Sequence, residues 1–202
     1  MSGMEENIWD QRYATEDFVY GTTPNGFLVS VSDQIPAGKI LCLAEGEGRN
    51  AVYLAQRGAQ VLAVDGSAVG LAKARKLAAA HRVAIETEVV DLARYTIAPG
   101  SWDAIVSIFA HLPPALRQEL HRQVVAGLRP GGVFVLEAYT PAQLALKTGG
   151  PPQLELLMTL SALRRELAGL EFLHAAELER EVVEGTLHTG RGAVVQILAR
   201  KP

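Results

Sequence analysis

Gly46-Glu47-Gly48-Arg49-Asn50-Ala51 and, further on, Asp65 have the types and spacing to hold a nucleotide. The stretch Ile40–Asp65 runs from an apolar segment into this glycine turn, then a helical segment, then a second apolar segment ending in the acid. Glycines let backbone approach a ligand closely, and a helix N-terminus favours negative charge. A carboxylate at the end of the second strand accepts hydrogen bonds from ribose hydroxyls. The pattern G-x-G-x-x-A with a later acid is also what a dinucleotide site requires. Two carboxylates, Glu45 and Glu47, stand in the turn. They would repel a diphosphate, whereas a ligand carrying a sulfonium and an ammonium tolerates them. Asp91-Leu92 closes a third apolar run, where a carboxylate can take an adenine amino group and the leucine can flank the ring.

Other residues are candidates for handling a substrate. His111 follows a fourth apolar run, at the edge where open α/β sheets place ligands, and can orient or deprotonate an acceptor. It can equally satisfy the start of a helix beside Pro113. Tyr139 ends the fifth run and His188 falls in a terminal hairpin turn. Arg12 and Tyr20 lie in an aromatic N-terminal segment that can close over a ligand, Arg12 pairing a carboxylate. The plainer readings are a solvated arginine, a surface acid or helix cap for Asp65, and a loop acid for Asp91. No catalytic triad or metal-ligand spacing is visible.

The elements that must position these residues alternate. Ile40–Leu43, Gln60–Val64, Ile85–Val90, Asp103–Ile108 and Val133–Leu136 read as strands, the first continuously apolar as in a strand covered on both faces. Arg49–Gln56, a segment from Ser67 to about Ala80, and a segment opened by Pro113-Pro114 read as helices, with Ser67 as an N-cap. Leu128-Arg129-Pro130-Gly131-Gly132 should end the last of these. Leu156, Leu160, Leu163 and Leu167 mark one more helix. Phe172–Val183 and Ala193–Ala199 have only a loop between them and should pair antiparallel. Glu179, Arg180, Glu181 and Glu184 read as a solvated face or edge guards. This is an α/β chain with a parallel sheet and a terminal hairpin.

Bulk properties narrow the classes. With 202 residues the chain is one domain. A net charge of −3 with no basic run argues against a nucleic-acid partner. No apolar stretch reaches membrane-spanning length, and the N-terminus lacks a secretory pattern. The lone cysteine, Cys42, reads as a packed core thiol, which suits a reducing cytoplasm. A monomer or a homodimer is expected.

Taken together, the chain resembles the class I S-adenosylmethionine-dependent methyltransferases, closest to the small bacterial tellurite-resistance and thiopurine methyltransferase group. The resemblance rests on Trp9-Asp10-Gln11-Arg12-Tyr13, Tyr20-Gly21 and Pro24-Asn25-Gly26-Phe27-Leu28 as lid and entry helix. It rests also on the turn Gly46–Asn50 and on Ser107-Ile108-Phe109-Ala110-His111-Leu112-Pro113 as the edge of the fourth strand. It implies a Rossmann-like, doubly wound sheet of seven strands, five parallel plus a C-terminal antiparallel hairpin, with helices on both faces. It divides the chain into a lid and entry helix (1–35), a cofactor core (38–140), an inserted helix (141–170) and the hairpin (171–202). The cofactor is S-adenosylmethionine and the acceptor a small molecule, a thiol or chalcogen species being suggested. Gly46 and Gly48 would let the backbone pass beneath the methionine portion, Asp65 would hold the ribose, and Asp91 the adenine amino group with Leu92 flanking the ring; Asn50, Gly66, Ser67, Ser107, Ile108 and Phe109 are further cofactor-binding candidates. One departure stands out. Cys42 occupies the position of the usual acid and Ala44 that of the first glycine. Carbonyls of Leu43 or Ala44, or an inward Glu45, then take the ligand's amino group. The rival readings are an NAD-dependent reductase and a nucleotide-binding homologue without activity.

Overall fold

The computed structural model describes residues 8–185 and 188–202, with the side chain of His188 outside the described residues. The strands are β1 (Lys39–Leu43), β2 (Gln60–Asp65), β3 (Glu86–Val89), β4 (Trp102–Ile108), β5 (Leu128–Tyr139), β6 (Glu171–Glu184) and β7 (His188–Arg200). They form one sheet in the order β3-β2-β1-β4-β5-β7-β6. The first five are mutually parallel, while β7 runs antiparallel to both β5 and β6. The helices are α1 (Ile8–Tyr13), α2 (Gly26–Val31), α3 (Arg49–Gln56), α4 (Ala68–Ala80), α5 (Pro114–Gly127), α6 (Gln143–Leu146) and α7 (Leu160–Glu166).

Strand alternation explains why the central segments are apolar throughout. In β1, Ile40 and Cys42 pack with Leu28, Leu54 and Leu71 on the face carrying α2, α3 and α4. Leu41 and Leu43 pack with Leu120, Val124 and Leu163 on the face carrying α5 and α7. The strand order reverses between β1 and β4, where a crevice opens beyond the carboxyl ends of parallel strands. Register brings those ends level: Leu43 pairs with Val64 and Ser107, and Asp65 with Val89. The turn after β1, the acid ending β2, the loop after β3 and the residues after β4 therefore emerge along one edge.

Local chemistry sets the helix starts. The Asn25 side chain accepts from the Leu28 N–H at 2.9 Å, and Ser67 Oγ from the Gly70 N–H at 2.9 Å. At α3 the preceding residue is Gly48, which has no side chain, and Glu45 Oε1 accepts the N–H groups of Asn50 and Ala51 at 3.0 and 2.8 Å instead.

Three expectations change. α5 ends at Gly127, just before the expected stop, but Arg129–Gly132 lie inside β5, which starts at Leu128 and bulges between the pairs Leu128–Trp102 and Val133–Ala104. The Leu156–Leu167 helix breaks into a 3₁₀ turn at Leu154–Leu156 and the shorter α7, which Thr159 caps. Arg180 and Glu184 are not solvated edge residues: both turn inward to the carboxylate of Glu137, or to its partners.

Candidate active site

The turn after β1 is tightly determined. Ala44, Gly46 and Gly48 all have positive φ, 50°, 59° and 91°. Ala44 thus adopts the backbone that a glycine would adopt without strain, at a cost of about 1 kcal/mol. A Cβ on Gly46 would lie 2.5 Å from Tyr13 Oη, so α1 is folded down onto the turn. A Cβ on Gly48 would lie 2.7 Å from the Ala74 Cα, so this glycine serves the close approach of α3 to α4. Asp65 organises the same region: Oδ2 accepts the Gly46 N–H at 2.8 Å and Oδ1 the Ser67 N–H at 2.7 Å. Burial raises its carboxyl above the ordinary range, against those two hydrogen bonds. Glu45 is half-buried beside it. Burial pushes its carboxyl up to about 7, although the Ala51 and Asn50 N–H groups and the Arg49 charge oppose the shift.

These groups face a cavity of about 1020 Å³ at the carboxyl edge of the sheet. Arg12, Tyr20, Ala44, Glu45, Asn50, Asp65, Gly66, Asp91, Leu92, Ile108, Phe109 and His111 line it, as the sequence predicts. Leu43, Gly46, Gly48, Ser67, Ser107 and Tyr139 do not reach its wall. Leu43 and Ser107 lie within strands, Gly46 is covered by Tyr13, and Gly48 abuts Ala74. Ser67 is withdrawn as the cap of α4, its hydroxyl bonding Asp10 of α1. Tyr139 is buried behind Phe109 and His111, stacked on the latter at 5.7 Å. The position expected for His188 as a substrate contact lies outside the described residues.

The lid closes the cavity from one side. Arg12 donates to the Tyr20 hydroxyl at 3.1 Å and sits over the Trp9 ring at 4.6 Å. The Tyr20 N–H donates to Glu47, which also pairs with Lys73 at 2.8 Å. Asp91 uses Oδ1 to accept the Ala93 N–H at 2.9 Å.

His111 does not have the wiring of a free base. Nδ1 lies 3.2 Å from the Leu156 carbonyl, and Nε2 lies 3.5 Å from the Tyr139 N–H. Burial pushes its pKa down to about 4.

Sequence reasoning missed a buried charge network beside the cavity. Glu137, fully buried on β5, accepts from Arg180, Gln196 and Asn25. Glu184 accepts from Arg180 and Asn25 through Oε1 and from Arg49 through Oε2. Arg49 itself lines the cavity, as do Gly149, Gly150, Pro151, Pro152 and Gln153. The cue for Arg49 was its place in the glycine turn. Partners more than a hundred residues away leave no periodic trace.

Comparison with known proteins fits this geometry. Residues 40–132 match the family described as a methyltransferase domain, a stretch running from β1 into β5. Over those residues the chain is similar to a methyltransferase domain, carried here on a seven-stranded sheet closed by an antiparallel hairpin. A 2-heptyl-1-hydroxyquinolin-4(1H)-one methyltransferase of Mycobacteroides abscessus is 26% identical over 117 residues. That match covers 56% of this chain and 52% of the relative, so the chain spans about half the length of the curated relative it matches. Among solved structures, one described for conversion of a disulfide bond into a thioacetal group during echinomycin biosynthesis superposes with a TM-score of 0.76. It has 18% identity and covers 96% of this chain and 91% of that one. TehB from Haemophilus influenzae gives 0.73 at 21% identity, covering 96% of this chain and 66% of that one. At such identities the likeness speaks for the fold alone.

Proposed function

We propose that the protein binds S-adenosylmethionine in this cavity and transfers its methyl group to a small-molecule acceptor, a thiol or chalcogen species first among the candidates. The observation that carries the reading is the pair of carboxylates at the glycine turn, Glu45 half-buried and Asp65 buried, both in the cavity wall. With Asp91 they make the β2–β3 half of the cavity acidic, which disfavours a diphosphate and welcomes a cation. Asp65 and Gly66 take the ribose. Asp91 takes the adenine amino group, with Leu92, Ile108 and Phe109 about the ring. Asn50 and the Ala44–Glu45 backbone run beneath the methionine portion, and Arg12 with Tyr20 closes over its carboxylate.

The bound cofactor supplies an electrophilic methyl carbon on a sulfonium, whose leaving group departs neutral. The chain supplies alignment and a dry site, α1 and Tyr13 excluding water from the turn. Neither His111, neutral with both nitrogens against backbone, nor the withdrawn Tyr139 is built to deprotonate a hydroxyl. This supports an acceptor that is soft or ionised on its own. The curated relative, named for the small molecule 2-heptyl-1-hydroxyquinolin-4(1H)-one, supports a small-molecule acceptor. The reading includes a cytoplasmic enzyme, one domain throughout, acting as a monomer or homodimer without nucleic-acid or membrane partners. The net charge of −3 supports it. Among the described residues no helix is long and apolar enough to cross a membrane.

Calorimetry with S-adenosylhomocysteine and NADH tests the cofactor. The homocysteine compound should bind, and Asp65→Ala should weaken it roughly ten- to hundredfold through the lost hydrogen bonds. Binding of NADH alone would sink the reading. A screen of thiols, chalcogen oxyanions, amines and hydroxylated metabolites, read by adenosylhomocysteine release, tests the transfer. Silence across it would leave a binding protein without activity.

A further inference from the structure

Arg49 is 8% exposed, opens α3 and stands in the cavity wall. Its Nη2 donates to Glu184 Oε2. Its Nη1 is buried and has no hydrogen-bond partner among the described residues. Buried guanidinium donors are rarely left so, because the lost water contacts are not replaced. The partner that would relieve it comes through the cavity.

The position of Arg49 says which ligand that is. The cavity's acids, Glu45, Glu47, Asp65 and Asp91, belong to the β1–β3 half of the edge, Glu47 being paired with Lys73. Arg49 starts from the same turn, where its charge acts on Glu45, and reaches toward Glu184 of β6, within electrostatic reach of Tyr139 of β5. An anion entering the cavity is repelled from the first half and drawn to the second. Glu184 does not cancel Arg49, because its carboxylate is shared with Arg180 and Asn25. The other cavity arginine, Arg12, is already engaged by the Tyr20 hydroxyl and the Trp9 ring. The same cavity wall carries aromatic and apolar side chains, among them Trp9, Phe109 and Leu156.

We infer that Arg49 Nη1 is an anion subsite for the methyl acceptor, which is a small, flat molecule bearing a carboxylate or comparable anionic oxygen. The inference rests on the methyltransferase reading above and names the substrate class of that same site. A guanidinium contact to such an oxygen is charge-assisted and fixes the acceptor's orientation toward the methyl carbon.

The probes are benzoate and benzamide, equal in shape and different in charge, titrated into protein saturated with S-adenosylhomocysteine. Benzoate should bind at least about tenfold more tightly than benzamide. In Arg49→Lys, which keeps the charge facing Glu184 and shortens the fork, benzoate should lose about tenfold while adenosylhomocysteine stays within about threefold. Equal binding of the two probes, or no benzoate binding, overturns the subsite while leaving the cofactor assignment standing. So does an equal loss for adenosylhomocysteine, which would make Nη1 a cofactor contact. Failure of adenosylhomocysteine to bind overturns the underlying reading and the subsite with it. Where Arg49→Lys does not fold, Glu184→Gln decides: with its counter-charge removed, Arg49 should hold benzoate more tightly, and unchanged or weaker binding overturns the proposal.

Discussion

Glu45 stands at the junction of structure and chemistry. One oxygen closes the start of α3, while the whole carboxyl is buried against Cys42, whose thiol is pushed up by burial and by Glu45 itself. Since the folded carboxyl titrates near 7 and the unfolded one near 4.5, the folded state holds this proton the more tightly. The resulting stability is complete below pH 4.5 and is lost as pH rises through 7. Glu45→Gln keeps an oxygen for the two N–H groups and removes the buried charge. At pH 8 it should be more stable than wild type by on the order of 2 kcal/mol, with the gap closing by pH 5. Urea unfolding at both values checks this, and a pH-independent difference would refute the burial argument. The same variant should bind adenosylmethionine less well, having lost a negative neighbour. At this scale the sequence was informative where residue type alone decides chemistry. Asp65 at a strand end and Asp91 after another reach the cavity as expected. It was uninformative where geometry decides: whether Gly48 faces ligand or the Ala74 of a neighbouring helix is set by how α3 and α4 cross.

At the scale of elements, α5 and α7 are joined by a cluster that hydrophobic spacing does not reveal. Leu120, Val124, Leu163 and Leu167 make the apolar seam, and the leucine pattern predicted it. Over the seam, Arg117 Nη2 donates to Glu166 at 2.8 Å and His121 Nδ1 contacts the other oxygen at 2.7 Å. His121 of α5 is buried. Burial disfavours the Glu166 charge, but the hydrogen bonds and charges of His121 and Arg117 outweigh it and hold the carboxyl at about 2. A depressed folded value contributes stability that is present above the unfolded value of 4.5 and disappears as pH falls through about 2. Glu166→Gln should therefore cost up to about 3 kcal/mol at pH 7 and show a flatter melting temperature between pH 4.5 and 2. Parallel acid titrations of the two proteins, followed by circular dichroism, would reveal whether the curves converge. Curves that stay parallel would remove Glu166 from the acid response. The broken helix before α7 and the bulge in β5 were not legible for a related reason. Each is fixed by the register of a neighbouring strand, as when Leu128 pairs with Trp102 before the bulge and Val133 with Ala104 after it.

For the whole molecule, the alternation of strands and helices and the helix-free terminal pair were enough to foresee a parallel sheet closed by a hairpin. What they could not foresee is how the lid is tied to the far edge of that sheet. Asn25 of the entry segment donates to Glu137 of β5 and Glu184 of β6, and its N–H donates to Asn50 of α3. Arg180 and Gln196 complete the shell around Glu137. Such a network is costly to break from one side, because the remaining charge stays buried without its partner. Glu137→Met should thus lose about 3–5 kcal/mol in chemical denaturation, and Arg180→Met a similar amount. The double variant should recover much of the loss, since two matched charges leave together and apolar side chains of similar length take the space. Yet Asn25 would lose one of its two carboxylates, so protease cleavage between α1 and α2 should accelerate in the double variant even as global stability returns. If the two single losses simply add, the charges act independently and the link from lid to hairpin is only steric. If stability recovers and cleavage stays slow, the network serves the sheet and Asn25 is held by its cap on α2 and its contact with Asn50. Recovery together with faster cleavage is the outcome the geometry requires, because one carboxylate, Glu137, serves both the sheet interior and the segment that covers the cavity.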